Sequence, residues 1–163
     1  MYMKTKRNLL KRLTAVAAFA LLSILALSSC KKDDNKTNNT PYTISGNGSG
    51  SQMVPSVTGT GGSTITGTYD PKTGVMNYTT NWTNMTGAPT SGGFYSGASG
   101  TNGAAIGSPW TFGTGLTGNG TSSGTITLTS DQASQLINGN MYYTMGTAAN
   151  TGGEVRGQIT ATR

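Results

Sequence analysis

Between residues 63 and 82 the side chains alternate in kind, and the alternation breaks at one place, Asp70-Pro71-Lys72-Thr73-Gly74. Before the break, Ile65, Gly67 and Tyr69 fall on one side of an extended chain and Thr64, Thr66 and Thr68 on the other. After it, Met76, Tyr78 and Trp82 alternate with Asn77, Thr79 and Asn81. A period of two places each set on one face of a strand. Pro71 pre-sets φ for a turn and Gly74 supplies positive φ at its close, so the segment predicts a β-hairpin. β-Branched threonine suits the exposed side of a pleated sheet.

The same pattern recurs towards the C-terminus. Gly124, Ile126 and Leu128 alternate with Thr125 and Thr127. Val155, Gly157, Ile159 and Ala161 alternate with Glu154, Arg156, Gln158 and Thr160. One helix is predicted near 130–138. Thr129 offers an N-cap with Gln132 three residues on, Ala133, Leu136 and Ile137 share a face, and Gly139 can end the helix in the left-handed region. Residues 86–120 hold many glycines and little periodicity, which predicts long loops with one or two short strands. Tight turns without a βαβ rhythm point to an all-β fold, an antiparallel sandwich or Greek-key barrel.

The first 41 residues are of another kind. Lys4, Lys6, Arg7, Lys11 and Arg12 precede an apolar run over residues 13–27, which ends at Leu27-Ser28-Ser29-Cys30. The run is shorter than the roughly 20 residues a spanning helix needs and suits the core of a secretory signal. Small residues before a cysteine resemble the lipobox of bacterial lipoproteins, in which the thiol receives a diacylglyceryl group. Residues 1–29 are therefore expected to be a signal peptide and Cys30 a lipidated mature N-terminus, with acyl chains such as palmitate holding the protein on a membrane, expected to be the outer one. Residues 31–41 (KKDDNKTNNTP) read as a polar tether. Their Lys-Asp-Asp run resembles the acidic export signal of bacterial surface lipoproteins, while any hydrated tether would also serve.

Removing the signal changes the charge argument. The precursor carries a formal +6. From Cys30 onward, Lys31, Lys32, Lys36, Lys72, Arg156 and Arg163 stand against Asp33, Asp34, Asp70, Asp131 and Glu154. The near-neutral balance argues against nucleic-acid binding, which needs a basic face. Cys30 is the only cysteine, so residues 42–163, expected to be one domain, must hold together without a disulfide.

Two segments go beyond composition. The first is Gly50-Ser51-Gln52-Met53-Val54-Pro55-Ser56-Val57, followed by Gly67-Thr68-Tyr69-Asp70-Pro71, Tyr78 and Met85-Thr86-Gly87. The second starts at Leu136-Ile137-Asn138-Gly139-Asn140-Met141-Tyr142-Tyr143. It continues through Thr147-Ala148-Ala149-Asn150-Thr151-Gly152-Gly153-Glu154-Val155-Arg156-Gly157-Gln158-Ile159. Together they resemble the CHRD domain, the module named after chordin and common in exported bacterial proteins. The resemblance covers nearly all of residues 42–163 and implies an all-β extracytoplasmic module. Many members carry an Ala-His-x-His-Gly segment and a further histidine before the Thr-Ala-Ala-Asn turn. Here those stretches read Thr90-Ser91-Gly92-Gly93-Phe94-Tyr95-Ser96-Gly97 and Tyr143-Thr144-Met145-Gly146-Thr147, and the chain has no histidine. Any metal or proton chemistry of those histidines is not expected here.

Candidate chemistry is sparse. The domain offers Asp70, Asp131 and Glu154 as its acids, far apart in sequence and each with a local role to fill. Activated hydroxyl nucleophiles need a base, and histidine is absent. No catalytic residue, metal or cofactor is expected, and the chain is read as a non-catalytic binding or structural module. The alternative is a divergent metal-binding or enzymatic envelope protein. Candidate ligand contacts are Tyr95, Trp110 and Tyr142, whose rings could stack on a glycan, and the pair Glu154 and Arg156. That pair lies two apart on one strand and could instead serve as a structural ion pair near the strand end, with Arg156 also bonding loop carbonyls. Tyr142 and Tyr143 are adjacent, so on a strand they face opposite sides and one is available to the surface. Besides the membrane, a glycan or protein of the envelope is the expected partner.

Overall fold

The computed structural model describes residues 39–163. Cys30, the expected signal segment and most of the expected tether lie outside the described residues. Nine strands follow: β1 (Tyr42–Ser49), β2 (Gly62–Asp70), β3 (Val75–Thr83), β4 (Pro89–Ser96), β5 (Ala105–Ile106), β6 (Gly120–Thr127), β7 (Met141–Thr147), β8 (Val155–Gln158) and β9 (Thr160–Thr162). A 3-10 turn, Gly50–Gln52, closes β1, and one helix, α1 (Ser130–Ile137), precedes β7.

All pairings are antiparallel, and the order across the sheet is β5-β4-β7-β8-β1-β2-β3-β6, with β9 also against β1. The sheet curls on itself. Tyr78 of β3 meets Phe94 of β4 edge-on at 4.8 Å between ring centroids, although β7, β8, β1 and β2 stand between those strands in the ladder. One apolar core fills the curl, built on Ile44, Ile65, Met76, Trp82, Tyr143, Met145 and Ile159. The all-β expectation holds.

The predicted hairpin is β2 and β3. Gly74 has φ +72° and donates to the Asp70 carbonyl at 2.9 Å, while the Asp70 carboxylate accepts from Lys72 N at 2.8 Å. The helix also follows its signals. Thr129 and Gln132 form both bonds of a capping box, Ala133 and Leu136 are buried, and Gly139 follows with φ +71°. Ile137, expected on the buried face, is 39% exposed.

One row of inward positions explains many of the glycines. Through the ladder registers it runs Phe94, Tyr143, Gly157, Gly48, Ser63, Trp82, Gly120. The Tyr143 ring lies flat across its neighbours. A Cβ at Gly157 would stand 2.5 Å from Tyr143 Cε1, and one at Gly48 would stand 2.9 Å from the Tyr143 hydroxyl. Trp82 likewise covers Gly120, where a Cβ would meet Cζ2 at 2.5 Å. Wide rings from one strand use the space their glycine neighbours leave, which packs the core without bulky side chains on every strand.

The opposite face is a hydroxyl and amide surface. One row across the strands reads Thr160, Ser45, Thr66, Thr79, Ser123. Cross-strand bonds tie parts of this face together, as between Thr79 and Ser123 at 2.8 Å and from Thr125 to Asn77 Oδ1 at 2.7 Å.

The region 86–120 holds more structure than its composition predicts. β4 is eight residues long and pairs with β7 along most of its length. Its periodicity is hidden because Gly92, Gly93 and Phe94 are buried in succession: the 107–119 loop folds back over it. A Cβ at Gly92 would stand 2.8 Å from Trp110 Cε3, so the glycine admits that ring.

Candidate functional site

The polar residues singled out from sequence gather on the outward side of β8 and the turn before it. Glu154 precedes β8 and Arg156 and Gln158 lie on it. Outward positions of an exposed strand would be wet, yet Glu154 is 2% and Arg156 1% exposed. Loops from distant parts of the chain cover both.

The turn from β7 to β8 is built to present Glu154. Thr147 and Asn150 bond each other's main chains, Gly153 N donates to the Asn150 carbonyl at 3.0 Å, and Glu154 N returns to Met145 O at 2.7 Å. Gly153 takes φ +121°, a conformation that favours glycine. The Glu154 carboxylate then accepts from Thr86 N at 2.8 Å, Thr86 Oγ1 at 2.5 Å, Thr147 Oγ1 at 2.6 Å and Asn150 Nδ2 at 3.2 Å. Burial alone would raise its pKa. The bonds from Thr147, Thr86 and Asn150 together outweigh burial and hold the carboxyl below its ordinary value. Gly61 stands beside this carboxylate, and a Cβ there would lie 2.8 Å from Oε1.

Arg156 does not pair with Glu154. Its Nη2 donates to the Ala98 carbonyl at 2.9 Å, and its guanidinium carbon sits 3.5 Å from the centroid of the Tyr142 ring. Tyr142 in turn stacks on Tyr95 at 5.4 Å with 17° between planes. Asn102 accepts from Arg156 Nη1 at 3.4 Å and donates to the Val54 carbonyl at 2.8 Å. Gln158 Nε2 donates to Gly97 O at 2.9 Å and Gly139 O at 2.8 Å. Thus Arg156 and Gln158 bind carbonyls of the loop that leaves β4, and Gln158 also that of Gly139, while the expected Glu154–Arg156 ion pair does not form.

Tyr142 and Tyr143 are both buried, so neither is left for the surface. Tyr143 faces the core, and Tyr142 lies on the other face beneath Arg156. Tyr95 is half-buried against Tyr142. Trp110 is also half-buried and makes a ring cluster with Tyr78 at 5.3 Å, Phe94 at 5.0 Å and Tyr143 at 6.1 Å. Its main-chain N–H bonds Gly92 O at 2.9 Å, but its indole Nε1 is buried without a hydrogen-bond partner.

A groove of about 490 Å³ opens beside this cluster, between residues 107–111 and β6. Two shallower depressions, of about 460 and 430 Å³, lie over β2–β3–β6 and over β1–β2. Among the described residues, no three of His, Cys, Asp or Glu come together, and no helix is long and apolar enough to cross a membrane. Sequence reasoning missed Thr86, Ala98, Asn102 and Gln158 as partners of the buried charges. Thr86, Thr147, Asn150 and Gln158 carried a signal only as members of the segments that resemble the CHRD domain, and Ala98 and Asn102 carried none.

A curled antiparallel sheet whose loops are clamped by a buried carboxylate and a buried guanidinium defines an all-β scaffold module. The CHRD domain model matches residues 44–159, and the chain belongs to the CHRD domain family. No curated protein and no solved structure matches it. The two stretches that the resemblance sets against histidines are neighbouring strands: Gly92 pairs with Met145, Gly93 with Thr144 and Phe94 with Tyr143. Of these pairs, Phe94–Tyr143 is aromatic.

Proposed function

We propose that this protein is a lipid-anchored cell-envelope module that binds or braces rather than catalyses. The observation that carries the reading is Leu27-Ser28-Ser29-Cys30 after a short apolar run, separated from β1 by only the polar residues 31–41. Acylation there would leave the folded module a short tether from a lipid surface. The polar groups of the domain support the non-catalytic part. The lone pairs of Glu154 and several donors of Arg156 and Gln158 are engaged in holding loops. Such saturated groups make a scaffold stiff and leave little capacity for moving protons.

Growth with an alkyne-bearing fatty acid tests the anchor. The wild-type protein takes up label and partitions with membranes, and Cys30→Ala abolishes both. Protease shaving of intact cells then reports the face: rapid digestion places the module outside, and digestion only after permeabilisation places it in the periplasm. A tightly bound stoichiometric transition metal in the purified protein would favour the metal-binding alternative instead.

A further inference from the structure

The groove between residues 107–111 and β6 has features that none of the loop-clamping network explains. Tyr78 and Trp110, both half-buried, present ring surface to it over the buried Phe94, and around them stand hydroxyls, among them Ser108, Thr111 and Ser122. No charged side chain lines it. Its size falls within the range of small-ligand sites, roughly 300–1,000 Å³.

The main-chain groups on one wall of the groove lack main-chain partners. β6 is the last strand of the sheet and pairs only with β3. Among the described residues, its outward main-chain groups take no main-chain partner over the strand's eight residues. An edge this long is commonly guarded by lysine, proline or a bulge. β6 reads Gly-Thr-Ser-Ser-Gly-Thr-Ile-Thr and has none of these.

The geometry points to a binding site for a neutral oligosaccharide in this groove. The C–H face of a pyranose ring stacks on aromatic rings, and its hydroxyls both donate and accept. Main-chain edges and serine and threonine hydroxyls are the complementary groups. The absence of charge in the lining disfavours uronic acids, sulfated sugars and other ionic ligands. An extended peptide could use the β6 edge, but it would leave the hydroxyl rim without matched partners. This proposal rests on the reading of the protein as a binding module and names the ligand class.

The test uses the purified protein in detergent, with cello-, manno-, xylo- and chito-oligosaccharides as probes. Polygalacturonate and an uncharged, alternating Thr-Val peptide serve as comparators. Tryptophan fluorescence and calorimetry report binding. At least one neutral series is expected to bind and shift the emission, with the acidic polymer silent. Trp110→Phe keeps a ring against Tyr78 and Phe94 while reducing the aromatic surface at the groove, and should weaken binding about five- to tenfold. Ser122→Lys places a charge on the β6 wall and should weaken it more than tenfold at an unchanged melting temperature. No binding by any neutral series, binding indifferent to both variants, or binding of the peptide alone would each overturn the proposal. Acylation at Cys30 is read separately, so failure here leaves the anchor standing.

Discussion

The Tyr143 hydroxyl lies 2.9 Å from Ser63 Oγ, although β8 and β1 stand between their strands in the sheet. The ring reaches that far because Gly157 and Gly48 fill the intervening positions of the row. One hydrogen bond thus joins the two halves of the curled sheet through its core. Removing the hydroxyl in Tyr143→Phe leaves the buried serine without this partner. The expected loss is about 1–3 kcal/mol, read as a lower denaturant midpoint with unchanged slope.

The same pair sets an alkaline limit. Burial pushes the Tyr143 hydroxyl up to about 12, despite the opposing effect of its bond to Ser63. Because the folded value lies above the ordinary value of about 10, this contribution is complete below pH ~10 and is lost as pH rises towards ~12. The difference is on the order of 2 kcal/mol. Chemical denaturation across this window should show a decline that Tyr143→Phe reduces, the remainder coming from Tyr69 and Tyr78, whose hydroxyls burial also raises.

Filling the row should be worse than emptying it. Gly157→Ala puts a methyl group 2.5 Å from Tyr143 Cε1, on a strand held from both sides. The ring must leave its place or the strands must part, at a cost of about 1–3 kcal/mol or more. Thermal unfolding measures it. Gly113→Ala, in open space on the loop, is the control and should change little.

Glu154 predicts the acid limb. Its carboxyl is held below its ordinary value, so its contribution is complete above the unfolded pKa and is lost as pH falls through the folded one. Glu154→Gln turns part of an acceptor into a donor facing Thr86, Thr147 and Asn150. A loss of about 3 kcal/mol at neutral pH is expected, with a flatter stability profile in acid. Thr86→Val should reproduce part of that loss.

Arg156→Ala should act on a loop as well as on the whole. It removes the donor to Ala98 O and the cation over Tyr142. Stability should fall by about 2 kcal/mol, and hydrogen exchange in residues 97–104 should quicken first. Arg156→Lys keeps the charge without the planar contact and should recover only part of the stability.

What was legible in the sequence was local. The β2–β3 hairpin and the capped helix are specified by residues within a few positions of each other, and both formed as their signals require. β4 was illegible because burial on both faces erases alternation, and the rings that bury it come from a loop some twenty residues on. The sequence put Glu154 and Arg156 on the outward side of a strand. It held no sign that residues near 86 and 98 would cover them, so long-range loop packing turned surface charges into buried ones. Trp110, in a stretch without periodicity, is half-buried and packs against the core.

The most direct test of the account is the intact mass of the protein extracted from cell membranes. The expected result is a chain beginning at Cys30, heavier than its sequence by a thioether-linked diacylglyceryl group and any further acyl chain, with Cys30→Ala giving an unmodified precursor. A free thiol at Cys30 in a chain cut elsewhere or not at all would contradict it.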